Sequence, residues 1–191
     1  TSASTGKVRV CVFTLAPTVT GEDSGELIAA AYTLGVPHPP GYPLWTLIAH
    51  AFTWLPLGTI AWRVNLSSAV FAAATVSLMV PLMRMLGAGR LAAVAAALTL
   101  AFSYEFWEQA LIAEVYALNA FFFALLILLL LIWRALRQDT LLIVFTLVYG
   151  LSPDNHNTMH LCAPFFAVFV IAVERPGWRR WGFYLLLAAL T

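Results

Sequence analysis

The stretch GEDSGELIAAAYTLGVPHPPGYPLW, residues Gly21 to Trp45, gathers three carboxylates, one histidine and four prolines inside a chain that is otherwise largely apolar. From Ser24 to Leu34 it reads as a short helix, with Leu27, Ile28, Ala31 and Leu34 as the apolar stripe and Gly35 as its stop. HPPGYP is not regular helix, because Pro39 and Pro40 lack the donor N–H and Gly41 frees the chain to turn. Pro43 suits the first position of a second helix, Leu44 to Leu55, with Trp45 and Trp54 as aromatic anchors. The expectation is a folded loop of two short helices lying near a membrane plane.

The rest of the chain explains why a membrane is invoked. Of its 191 residues 62% are hydrophobic and 10% charged, against about 25% charged in a soluble domain; the mean hydropathy is +0.87. This balance implies an integral membrane protein. A formal charge of +1 without a basic tract gives nucleic acid no foothold. Cys11 and Cys162 lie in apolar runs without metal-ligand spacing and read as buried thiols.

Apolar blocks place spans at about 64–85, 91–106, 115–133, 138–153 and 158–173, between truncated spans at 8–17 and 181–191. The chain therefore reads as a single transmembrane domain, an all-α polytopic bundle and a fragment of something longer, with residues 18–62 as an external loop. Arg84, Arg90, Arg134, Arg137, Arg175, Arg179 and Arg180 fall in alternate turns, with Lys7 and Arg9 beside them, and the positive-inside rule makes those turns cytoplasmic. Seven of the nine acidic residues then share the outer side: Glu22, Asp23, Glu26, Glu105, Glu108, Glu114 and Asp154. Leu91 to Phe102 and Leu141 to Leu151 rise only roughly 17 to 18 Å as helices, short of a hydrocarbon core about 30 Å thick. Polar groups beyond their ends thus imply an outward cavity sunk into the outer leaflet.

LAPTVTGEDSGELIAAAYTLGVPHPPGYPL, AWRVNLSSA and FWEQALIAEVYALNAFF resemble a family of multi-pass membrane proteins filed as a domain of unknown function, which includes protein O-mannosyltransferases. That family is in turn similar to the GT-C membrane glycosyltransferases that use polyprenyl-phosphate sugars. The resemblance implies a GT-C-like bundle and puts Asp23 in the place of the acidic residue of the first external loop, which acts at the acceptor. It implies a polyprenyl-phosphate sugar donor and a protein or glycan acceptor, with membrane lipids around the protein. Closeness to bacterial versions of the motif points to a bacterial inner (plasma) membrane with the active face outside. The family usually has glycine where this chain has Glu22, and Asn-His-His-Thr where it has Asn155, His156, Asn157 and Thr158.

Sugar transfer to a hydroxyl needs a base for the acceptor proton and donors or cations for the leaving phosphate. Asp23 is the candidate base, with Glu26 one turn on to orient it. Arg63 is the lone strong cation on the outer side and the candidate phosphate ligand. His38, Tyr42, Glu114, Tyr116 and His156 complete the candidate substrate-binding set. No cofactor is specified; a divalent cation is compatible with the chemistry, and its ligands are unknown.

Each residue also has a plainer reading. Asp23 and Glu26 form a capping box, Arg63 beside Trp62 is an interfacial anchor, HPPGYP is a rigid turn, and Glu105 with Glu108 is a solvated helix face. His156 and His160, at i and i+4, have the spacing of a metal pair but no third ligand; His50 reads as a packing residue. Transport or lipid carriage through an acidic cavity, and a non-catalytic membrane subunit, stand as the alternative functions.

Overall fold

The computed structural model describes residues 14–173, and every regular element among them is helical. In chain order these are α1 (Ser24–Thr33), α2 (Pro43–Thr53), α3 (Ile60–Met85), α4 (Arg90–Ala101), α5 (Tyr104–Glu108), α6 (Tyr116–Leu136), α7 (Asp139–Leu151), a 3₁₀ segment (Asn157–Cys162) and α8 (Ala163–Val173). The runs expected at 181–191 and over most of 8–17 lie outside the described residues, as do Lys7, Arg9, Cys11, Arg175, Arg179 and Arg180.

Local chemistry sets the boundaries. The Thr59 side chain accepts the Trp62 N–H at 3.2 Å, so α3 begins at Ile60 rather than near 64. The span expected over 91–106 breaks at Phe102 and the extended Ser103, leaving α5 as a separate short helix. A left-handed Arg137 ends α6 three residues beyond the expected 133. The last expected span, 158–173, is tightened into a 3₁₀ segment before α8. Two helices, α3 and α6, are long and apolar enough to cross a membrane; α4, α7 and the run Asn157–Val173 are shorter apolar helices.

The bundle is organised by α3 and α6, which pack most extensively on each other; α4 lies against α3 and α7 against α6. On α4, Ala97 and Ala101 share a cluster with Val76 of α3, and Ala93, one turn earlier, is equally buried. Small side chains at this i, i+4 spacing let the two backbones approach closely, the device that replaces hydrophobic burial where lipid is the solvent. Across α6, α7 and α8 the core is aromatic: Tyr149 stacks on Phe145, and Phe166 meets both edge-on.

Helices α1 and α2 cap one end of the bundle. Leu34 takes a left-handed conformation that closes α1, with the Gly35 N–H returning to the Ala30 carbonyl at 3.0 Å. Pro43 sits in the first turn of α2. Leu27, Ile28 and Ala31 of α1 and Trp45 and Ala49 of α2 join Val64, Ala113 and Val115 in one buried cluster. The Leu44 N–H donates to the Asp154 carbonyl at 3.2 Å, tying α2 to the turn after α7. His50 Nδ1 donates to the Ala31 carbonyl (2.7 Å) and meets Trp54 edge-on, a packing role. Cys162 is a free, half-buried thiol.

Enlarging one of these small residues tests this packing: Ala97→Leu should destabilise the full-length protein by about 1 to 3 kcal/mol, read as a lower midpoint of thermal unfolding in detergent.

Candidate functional site

The Pro-rich turn folds back over α1 and delivers His38 to its acids. Gly41 (φ +94°) and Tyr42 (φ +43°) both turn through the left-handed region, and the Pro39–Pro40 peptide is cis. The Glu26 carboxylate accepts the His38 backbone N–H at 2.6 Å and meets His38 Nδ1 at 3.0 Å. With Nδ1 held there, Nε2 faces the Tyr42 hydroxyl at 3.3 Å and Asp23 Oδ2 at 3.8 Å. Glu26 is thus committed to His38 and not to a capping box. Asp23 occupies the N-cap position of α1 yet makes no side-chain capping bond, and its side chain is 61% exposed.

A ring of aromatic groups continues from this pair. His38 meets Tyr42 edge-on, Tyr42 stacks on His156 at 6.1 Å and 12°, and Tyr116 lies 5.5 Å from the same imidazole. His156 Nδ1 accepts the Thr158 N–H, capping the 3₁₀ segment, and burial holds its pKa below the ordinary value. It is therefore neutral at pH 7. His160, in the 3₁₀ segment rather than a helix of 3.6 residues per turn, forms no ligand group with it among the described residues.

Beside this ring opens a cleft of about 640 Å³ lined by Glu22, Asp23, Glu105, Gln109, Glu114 and Tyr116. Glu105 is exposed on α5 yet faces this cleft, so it is more than a solvated helix face. Glu22 stands in the left-handed region (φ 58°), which glycine enters at no steric cost. The glycine that the family resemblance implies at this position suits that geometry better. Glu114 is the buried acid, 4% exposed, and its pKa is pushed up to about 7, first by burial and then by the charges of Glu22 and Asp23.

His38 Nε2 is the basic group that the structure sets beside Asp23, at 3.8 Å. Its pKa is raised, mainly by the hydrogen bond to Glu26; burial opposes this, and the charges of Asp23, Glu26 and Glu114 raise it further. The same bond lowers the pKa of Glu26. Arg63 lies elsewhere: its Nε, Nη1 and Nη2 donate to the carbonyls of Leu57, Thr53 and Gly58, sealing the end of α2 and the turn after it. All five of its donors point from one fork, and three are spent on main chain, so the structure does not bring Arg63 to the cleft. Asp23, Glu26 and His38 offer ligand atoms within 4.8 Å of one another, a donor set a divalent cation accepts.

The structure therefore assembles Asp23, Glu26, His38, Tyr42, Glu114, Tyr116 and His156 in one place. Gln109 was missed in sequence reading, although it lies in the quoted FWEQALIAEVYALN segment one α5 turn beyond Glu105. This is an all-helical bundle, two of its described helices long and apolar enough to cross a membrane, with a carboxylate-lined cleft and a histidine pair under a two-helix cap. Residues 23–178 match the family model described as the protein O-mannosyl-transferase TMEM260 N-terminal domain, and the chain belongs to that family. It is 43% identical over 118 residues to the mouse "Protein O-mannosyl-transferase TMEM260", covering 61% of this chain and 17% of the relative. Against the Dictyostelium discoideum "Protein O-mannosyl-transferase tmem260" the identity is 32% over 114 residues, covering 58% and 14%. The chain thus spans less than a fifth of the length of these curated relatives. No solved structure matches it. Both relatives are eukaryotic and lend no support to a bacterial inner membrane.

The Glu26–His38 pair fixes a pH window. A raised His38 pKa contributes stability that is full below 6.5 and lost as pH rises through the folded value; a lowered Glu26 pKa contributes stability present above 4.5 and lost as pH falls through its folded value. Glu26→Gln should accordingly lower the unfolding midpoint more at pH 6 than at pH 9. Equal losses at both would mean that the pair is not ionic.

Proposed function

We propose that this chain forms the acceptor-activating part of a membrane glycosyltransferase of GT-C type, which moves mannose from a polyprenyl phosphate to a hydroxyl of a protein acceptor at the external or luminal face. The observation that carries the reading is the exposed Asp23 carboxylate held beside His38, at the mouth of a cleft closed by Glu114 and Tyr116. Family membership supplies the reaction class: the relatives are named protein O-mannosyl-transferases.

In this reading Asp23 takes the hydroxyl proton as the acceptor oxygen bonds to the sugar C1. The C1–O bond to phosphate breaks, and its electron pair leaves with the polyprenyl phosphate. His38, protonated and fixed through Nδ1 by Glu26, presents Nε2 to the same space, where it offsets the charge of Asp23 and can donate to the departing phosphate oxygen. Tyr42 offers a hydroxyl to the same face, and the stacked Tyr42 and His156 rings form a flat wall against which a sugar can rest. The lipid donor explains the site's position at the end of two membrane-length helices.

Replacing the carboxylate with an amide of the same shape separates base from scaffold. Asp23→Asn in the full-length protein should reduce mannose transfer from a polyprenyl-phosphate donor by about 10² to 10⁴-fold at an unchanged unfolding midpoint. Transfer equal to wild type would remove Asp23 from the chemistry. Arg63→Gln, by contrast, should lower the unfolding midpoint while leaving the donor KM as it is; a raised KM would return Arg63 to the phosphate.

A further inference from the structure

His156 is held by both its backbone and its ring. Its N–H donates to the Ser152 carbonyl at 3.2 Å, and its own carbonyl accepts the Met159 N–H at 3.1 Å. The preceding residue, Asn155, is wholly buried and donates from Nδ2 to the Val115 carbonyl, next to the start of α6, at 3.3 Å. In the ring, Nδ1 accepts the Thr158 backbone N–H at 3.3 Å and lies 2.9 Å from the Thr158 hydroxyl. That hydroxyl accepts from Asn119 Nδ2 of α6 at 3.2 Å, which leaves its own proton for Nδ1. A main-chain N–H is always a donor, so Nδ1 must be the bare nitrogen of the ring. The imidazole is therefore neutral in this arrangement and carries its one proton on Nε2. Among the described residues no group pairs with that Nε2–H.

The surroundings of this ring say what it can bind. Tyr42 stacks on it at 6.1 Å, and Tyr116, which also lines the cleft, tilts against it at 5.5 Å. Starting from Asp23, the groups come in the order His38 Nε2 at 3.8 Å, the Tyr42 hydroxyl 3.3 Å from that nitrogen, and then the His156 ring. An acceptor hydroxyl at Asp23 thus stands beside His38, and the body of a sugar joined to it extends toward Tyr42 and His156. Anionic phosphate calls for a charged donor, and His156 cannot become one without giving up the Thr158 N–H. A neutral N–H between aromatic faces suits an uncharged hydroxyl instead. We propose that His156 is a sugar-binding residue, whose Nε2–H, kept on that nitrogen by Thr158, donates to a hydroxyl of the sugar carried by the lipid donor. This rests on the function proposed above and adds to it a directed hydrogen bond where stacking alone supplies only a surface.

Two measurements on the full-length protein test this, one without turnover. Nitrogen NMR with isotopically labelled histidine reads the ring directly, the His156 signals being assigned by their loss in His156→Gln. The free protein should show a bare Nδ1 and a protonated Nε2. On addition of mannosyl polyprenyl phosphate the Nε2 signal should shift, and with polyprenyl phosphate lacking the sugar it should stay. A proton on Nδ1 in the free protein, or equal shifts with the two lipids, would overturn the assignment to the sugar. In turnover, His156→Phe keeps a ring against Tyr42 but has no N–H, and should raise the KM for the mannosyl lipid about fivefold with kcat nearly unchanged. His156→Gln, whose amide brings an N–H to the same place, should recover most of that affinity. A folded His156→Phe with the wild-type KM would overturn the proposal, and if that variant does not fold the wild-type NMR signals decide. An Nε2 signal that answers to the mannosyl lipid in a protein that transfers no mannose would leave the sugar contact standing and remove the proposed transfer. Mannose transfer with an unmoved Nε2 signal would do the reverse.

Discussion

Everything in the candidate site hangs on the Trp45 indole reaching the Glu114 main chain. Trp45 is 2% exposed, and its N–H has a single partner at 3.1 Å, the Glu114 carbonyl. Burying an indole of this size is worth roughly 4 to 6 kcal/mol at about 25 cal/mol per Å², and the hydrogen bond adds about 1 kcal/mol. Those terms fasten α2 to the segment that leads into α6. Once α2 is fastened, the Pro-rich turn before it has only one place to go, and His38 is carried to Glu26 and Asp23. The loop is thereby part of the bundle, although none of its helices is long enough to fold alone.

The arrangement also explains why so polar a stretch sits in so apolar a chain. The bundle supplies rigidity through small-residue contacts between α3 and α4 and an aromatic core between α6, α7 and α8. Such a surface has few groups able to move a proton. The cap supplies them, and it does so at the end of the two membrane-length helices. The polar groups divide their tasks: acids line the cleft, Glu26 raises the pKa of His38 through their hydrogen bond, and Arg63 is spent on closing α2.

Much of this was legible in the residues themselves. Pro43 opens the second cap helix as expected, because a first-turn proline is a local demand, whereas the left-handed stop of the first falls on Leu34, one residue before the expected Gly35. The long helices were visible as apolar runs, but their ends were not: Thr59 starts α3 early through one side-chain bond, and Ser103 breaks α4 by its backbone conformation. The fate of Glu26 was hidden as well. Spacing alone made it the partner of Asp23 in a capping box, and only the return of the turn twelve residues later gives it to His38. Arg63 was misplaced for a related reason, since the carbonyls that absorb its guanidinium belong to a turn whose path no periodicity reveals. Gln109 and Glu105 entered the cleft through the break at Ser103, which turns α5 toward the cap.

The most direct test loosens the fastening without touching a single reacting group. Trp45→Phe keeps most of the apolar contact and removes the N–H, and the full-length protein can be followed by hydrogen exchange and mannose transfer together. The account predicts faster exchange in residues 21–45, unchanged protection in α3 and α6, and a fall in transfer that tracks the loosening. Transfer at the wild-type rate from a protein whose cap has demonstrably loosened would contradict it, because the seven site residues would then not need the cap to hold them together.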